Sequence, residues 1–249
     1  MRSLLIAPAD ERWLAEALES GADAILVDLA QAAPAERAAA RAAAARFLKE
    51  ARGRGRGPAR IVRINPLDSG ETDSDLDAAM AGAPDAILLP GSLGAASVQQ
   101  LSAKLAVREA KFALPDGETR VIALVDKAQS LFHMGSYRGA SARLIGIAWS
   151  AEALRADIGA ETERDRFGDY LGAYRLAREL TLLAATSARV AAIDGAFPNI
   201  PDLEGLRAEA LAARREGYTG KIALDPAQVR IINDVFPSRS VSIAKGSPS

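Results

Sequence analysis

The sequence predicts a single-domain α/β fold, the (β/α)8 or TIM barrel, on three observations. Short apolar runs rich in β-formers recur eight times, segments that suit helices separate them, and carboxylates or turn residues close them. The clearest pair is Asp23-Ala24-Ile25-Leu26-Val27-Asp28-Leu29 and Asp85-Ala86-Ile87-Leu88-Leu89-Pro90-Gly91. Neither alternates polar with apolar, so neither reads as a strand with one wet face. Such runs suit strands covered on both sides, as in a parallel sheet. Residues 4–8, 60–65, 120–126, 143–149, 189–194 and 221–225 complete the eight. Eight strand–helix units in 249 residues have the length and rhythm of a barrel.

In chain order, Asp10 can cap a helix to Ser20, and Gly21 stops it before the second strand. Pro34 opens an Ala- and Arg-rich helix to about residue 52, with Arg37 and Arg41 on one face. Arg52-Gly53-Arg54-Gly55-Arg56-Gly57 has no aromatic neighbour and reads as a solvated loop rather than a nucleic-acid contact. Helices are expected over residues 75–81 and 95–109. Pro115-Asp116-Gly117 marks a turn before the fifth strand. The only histidine, His133, reads as packing or surface. Glu152 and Asp157 fall in an expected loop, followed by the longest helix, residues 166–187. Two last helices are expected over 203–216 and 227–236. The barrel should end near residue 238, with a polar tail over 239–249.

Composition excludes several classes. At 49% hydrophobic the chain can bury a large core, and with no cysteine it has neither disulfides nor a thiolate zinc site. A net charge of −1 gives no general attraction to nucleic acid. No run approaches the roughly 18 apolar residues of a membrane span. A cytoplasmic protein with no membrane partner is expected.

Barrel chemistry belongs at the C-terminal ends of the strands. Those ends carry Asp28, Asn65 with Arg63, Gly91, Asp126, Ser150 with Glu152, Asp194 and Asp225. Arg63 sits in an apolar run, where an unpaired guanidinium is costly, so it is a candidate carboxylate binder alongside Asn65. An acid-rich rim suits a hard ion such as Mg2+. No Ser-His-Asp order or glycine-rich phosphate loop is visible, and Lys127 is the one lysine that could serve as a Schiff base.

The motifs Arg2-Ser3-Leu4-Leu5-Ile6-Ala7-Pro8, Val27-Asp28-Leu29, Val62-Arg63-Ile64-Asn65, Ala123-Leu124-Val125-Asp126, Ala151-Glu152-Ala153-Leu154, Asp202-Leu203-Glu204-Gly205-Leu206 and Asp225-Pro226-Ala227-Gln228 stand in one order along the chain. Together they resemble the citrate lyase β-subunit-like branch of the HpcH/HpaI aldolase family. That resemblance implies a Mg2+-dependent barrel acting on carbon–carbon bonds of small carboxylic acids or acyl thioesters, possible acyl-CoA substrates included. It also implies a homo-oligomer, a trimer or hexamer. By the same resemblance Asp28, Arg63 and Arg41 are candidate catalytic residues, and Arg63, Asn65 and Arg37 candidate substrate binders. Asp126 and Glu152 become candidate ligands of a Mg2+ ion held weakly or only with substrate.

The chain also departs from the family pattern. Ala30-Gln31 stands where Glu-Asp is usual, Gly91 replaces a lysine, and Asp225 replaces a histidine. Asp126 is one methylene shorter than the usual ligand, and Ala153 stands where an Asp ligand is usual. Two outcomes stay open: a lyase with a reshaped metal site, or a family member kept for binding or assembly.

Overall fold

The structure, a computed structural model, describes residues 1–55 and 57–237. Arg56 of the Arg-Gly loop and the tail expected at 239–249 lie outside the described residues. Eight strands form one closed parallel barrel in chain order. They are β1 Ser3–Pro8, β2 Ala24–Asp28, β3 Ala59–Arg63, β4 Ala86–Leu89, β5 Arg120–Val125, β6 Leu144–Trp149, β7 Ala191–Asp194 and β8 Gly220–Ala223. Around them run α1 Glu11–Glu19, α2 Arg37–Gly53, α3 Thr72–Met80, α4 Ala95–Lys111, α5 Ala128–Leu131, α6 Ala151–Ile158, α7 Gly172–Ala188, α8 Leu203–Glu216 and α9 Pro226–Val235. No described helix is long and apolar enough to cross a membrane.

Strand alternation sorts the core into two layers. Leu4, Leu26, Ile61, Leu88, Ile122, Leu124 and Ile193 fill the lumen. Leu5, Ile25, Val27, Val62, Ile87 and Val125 face the helices. Both faces are covered, which is why the strands read as unbroken apolar runs. Each such side chain contributes about 1.5–3 kcal/mol on burial.

Closure between β8 and β1 requires glycine. A Cβ on Gly220 would stand 2.6 Å from the Met1 carbonyl oxygen and 2.7 Å from that of Arg2. The next amide, of Lys221, donates to the Arg2 carbonyl at 2.8 Å.

Two expectations need correction. The segment after β6 is a helix, not a loop: the Ser150 side chain caps α6 by accepting from the Ala153 amide at 3.2 Å, and Gly159 ends it at φ 73°. The long helix starts at Gly172 rather than near residue 166. Before it, Asp165 Oδ1 accepts from the amides of Phe167 and Asp169, and this side-chain turn competes with helix. Tyr170 therefore lies outside α7, with its ring edge-on to Trp149 at 5.1 Å. The buried stripe of α7 is Tyr174, Ala177, Thr181, Ala184 and Ala185, whereas Leu183 is exposed.

Candidate active site

Three charged side chains share the lumen's C-terminal mouth: Asp28 ends β2, Arg63 ends β3, and Asp126 follows β5. Each continues the parity of a lumen residue, Leu26, Ile61 and Leu124 respectively. Asp28 and Arg63 are also register partners, so their side chains leave the sheet on the same face. Arg63 Nη1 donates to Asp28 Oδ2 at 3.2 Å, and the Ala30 amide donates to Asp28 Oδ1 at 2.9 Å. Arg63 Nε is buried and has no partner among the described residues. A buried donor left unmade costs about 1–3 kcal/mol, which an arriving acceptor would recover.

Asp126 is held differently. Gly91 takes up φ 62°, open to a residue without a Cβ, and its amide donates to Asp126 Oδ1 at 2.8 Å. Burial raises the Asp126 carboxyl to about 6, against the opposing pull of the Gly91 amide, Arg63 and Lys127. Burial also raises Asp28, only partly offset by Arg63. The sequence marks Gly91 as a strand end where a lysine is usual; the donor to Asp126 is its backbone amide, which composition does not reveal.

Because its folded pKa is raised, Asp126 stabilises the fold in its neutral form. That contribution is complete below about pH 4 and is lost as pH rises through about 6. The shift corresponds to about 3 kcal/mol. Asp126→Asn should therefore raise the melting temperature at pH 7.5 by several degrees, the lost attraction to Arg63 taking back part of the gain. The difference should shrink toward pH 4. Thermal melts across that range check this; a lower melting temperature at pH 7.5 would contradict it.

Three further candidates, Arg37, Arg41 and Asn65, occupy a second cluster. Arg41 Nε donates to Asp75 Oδ1 at 2.8 Å, and Asp75 Oδ2 accepts from both the amide and Nδ2 of Asn65 at 2.8 Å. Glu71 receives Arg41 Nη2 at 2.5 Å and Arg37 Nη1 at 3.0 Å. Arg37, Arg41 and Asn65 are thus gathered by Glu71 and by Asp75, which is 1% exposed. Neither acid stood out in the sequence, although a carboxylate beside Leu76 on the inner face of a helix was a usable signal.

The other rim residues do not join the lumen trio. Glu152 is exposed in the first turn of α6. Asp225 caps α9 through the Ala227 amide. Lys127 pairs with Asp157 at 3.1 Å, a hydrogen bond that raises its pKa, so it is a protonated cation rather than a free amine. Asp194 lies at the same end but has the opposite parity. It turns outward to Lys221, Arg178 and Trp149 in the helix–sheet layer. Among the described residues no three His, Cys, Asp or Glu side chains gather as a metal cage.

Residues 2–226 match the model of the HpcH/HpaI aldolase/citrate lyase family. The chain belongs to that family. Among family relatives, it is 34% identical over 176 residues to the citrate lyase subunit beta of Leuconostoc mesenteroides subsp. cremoris, covering 71% of this chain and 57% of that protein. It thus spans little more than half of that subunit's length. It is 33% identical over 237 residues to a (3S)-malyl-CoA thioesterase of Cereibacter sphaeroides (strain ATCC 17029 / ATH 2.4.9), covering 94% and 76%. In three dimensions it resembles the citrate lyase beta subunit from Mycobacterium tuberculosis complexed with oxaloacetate and magnesium. The TM-score is 0.78 at 28% identity, over 95% of this chain and 96% of that one. The CitE protein from the same organism in complex with magnesium, acetoacetate and coenzyme A gives 0.79 at 29% identity, over 95% and 81%.

Proposed function

We propose that this family member cleaves or forms a carbon–carbon bond in a small hydroxy acid or its coenzyme A thioester. The observation that carries this is the buried Nε of Arg63, without a partner among the described residues, at the same mouth as the Asp126 carboxyl that burial raises to about 6. Arg63 receives the carboxylate of the substrate as a fork, and Asp28 fixes the guanidinium from behind. In the cleavage direction Asp126 takes the proton from the substrate hydroxyl as the carbon–carbon bond breaks. The bond's electron pair passes to the thioester enolate, which receives a proton at carbon. The products are a 2-oxo acid and a shortened acyl thioester. Asn65, held by Asp75, supplies a further polar contact, and Arg41 and Arg37 act through Asp75 and Glu71 as positioning residues.

The donor set suits a Mg2+ ion completed by substrate oxygens. Asp126 Oδ2 accepts no hydrogen bond from another residue among the described residues, and Mg2+ commonly takes only one or two carboxylates. Glu152 stands outside the trio at the start of α6, so Asp126 with substrate oxygens would hold the ion. When bound it would stabilise negative charge developing on the substrate's oxygen. The weak site is itself part of the proposal. Charge complementarity at about 4 Å is worth roughly 4 kcal/mol at an effective dielectric of about 20. A third of that is about tenfold in affinity. Ala153→Asp combined with Asp126→Glu should therefore tighten Mg2+ at least about tenfold. Titration calorimetry with Mg2+, alone and with oxaloacetate, tests both points. Wild-type protein should bind the ion well only with the 2-oxo acid.

A cytosolic homo-oligomer fits this reading. The alternative, a binding or assembly role without turnover, draws on Ala30, Gly91 and Ala153 in place of usual site residues. It predicts that oxaloacetate binds Arg63 but no substrate turns over.

A further inference from the structure

The opposite, N-terminal mouth of the barrel holds a cavity of about 1090 Å3, unrelated to the lumen trio. Two features build it. Ala59, Ala86 and Ala191 occupy the first lumen layer, where barrels usually place bulky branched residues, so the cavity reaches down to Ile61 and Ile193. Its rim is cationic. Arg2 and Arg60 are each matched by a carboxylate, Asp23 and Asp85, at 2.7 and 2.8 Å. Arg120, Arg189 and Arg214 also line the rim, and none makes an ion pair among the described residues. Arg120 and Arg214 instead donate to carbonyls, Arg120 to Ala142 at 3.3 Å and Arg214 to Val235 at 3.0 Å. Arg60 Nη1 is buried with no partner among the described residues.

We infer that this mouth is a binding site for an organic phosphate, with the phosphate on the rim arginines and an apolar body over the alanine floor. Guanidiniums match phosphate oxygens in geometry and charge. The volume is that of a small-molecule site.

ADP is the probe, with inorganic phosphate as the comparison, in calorimetry at about 0.15 M salt. ADP should bind more tightly than inorganic phosphate, because only ADP covers the floor. Arg120→Gln with Arg189→Gln should weaken ADP at least about tenfold. Ala191→Leu, which fills the floor and leaves the charge unchanged, should abolish the preference for ADP over phosphate. Arg63→Lys at the other mouth should leave ADP binding unchanged. No ADP binding by wild type, equal binding by the double variant, equal affinity for both probes, or loss in Arg63→Lys would each overturn the inference. The last result would put ADP at the C-terminal mouth without touching the proposed lyase chemistry.

Discussion

Replacing Lys221 by Met is expected to cost about 3–5 kcal/mol, lowering the melting temperature by roughly 10 °C. Lys221 is fully buried, and its Nζ donates to Asp194 Oδ2 at 2.8 Å, to the Gly195 carbonyl at 2.7 Å and to Glu209 Oε1 at 2.8 Å. The apolar substitute keeps the volume but removes the cation that Asp194 and Glu209 share, leaving Asp194 Oδ2 and Glu209 Oε1 without it while Arg178 and Arg164 hold the other oxygens. Burial alone would raise the Asp194 carboxyl, yet Lys221 and Arg178 outweigh it and hold the group at about 2. A depressed carboxyl stabilises the fold above about pH 4, and that contribution is lost as pH falls toward 2. In Lys221→Met the carboxyl is less depressed, so this acid loss should be smaller and the stability gap to wild type should narrow as pH falls below about 4. Thermal melts from pH 3 to 8 read both effects; a change below about 1 kcal/mol would mean that Arg178 alone suffices.

Arg63→Lys should weaken binding of oxaloacetate-like acids by about tenfold to a hundredfold. Lysine keeps the charge that Asp28 needs but loses the planar fork and the Nε donor. Stability should therefore stay nearly constant while affinity falls. Arg63→Met, by contrast, leaves Asp28 buried and unpaired and should reduce both. Unchanged affinity in Arg63→Lys with a lower melting temperature would make the arginine a structural element of the mouth.

The barrel was legible because its strands bury both faces, so each is a short apolar run with a hard stop. The lumen trio was half legible. Asp28, Arg63 and Asp126 could be placed at strand ends, but an unbroken apolar run does not show which parity faces inward. Asp194 illustrates the cost: the residue type and strand end are the same, yet one step of parity sends it under α7 and α8. The Arg41–Asp75–Asn65 chain was hidden because it needs α2, α3 and β3 side by side. The helix α6 was more readable than its assignment as a loop implies, since Ser150 and Gly159 are ordinary cap residues.

The most direct test of a carbon–carbon lyase at this mouth uses (3S)-malyl-CoA and Mg2+ with wild type, Arg63→Lys and Asp126→Asn. Breaking the carbon–carbon bond yields glyoxylate and acetyl-CoA, whereas thioester hydrolysis yields malate and free coenzyme A. The expected result is glyoxylate and acetyl-CoA in equal amounts from wild type, falling at least about tenfold in both variants. Free coenzyme A without glyoxylate, or the same yield of glyoxylate from all three proteins, would contradict the assignment.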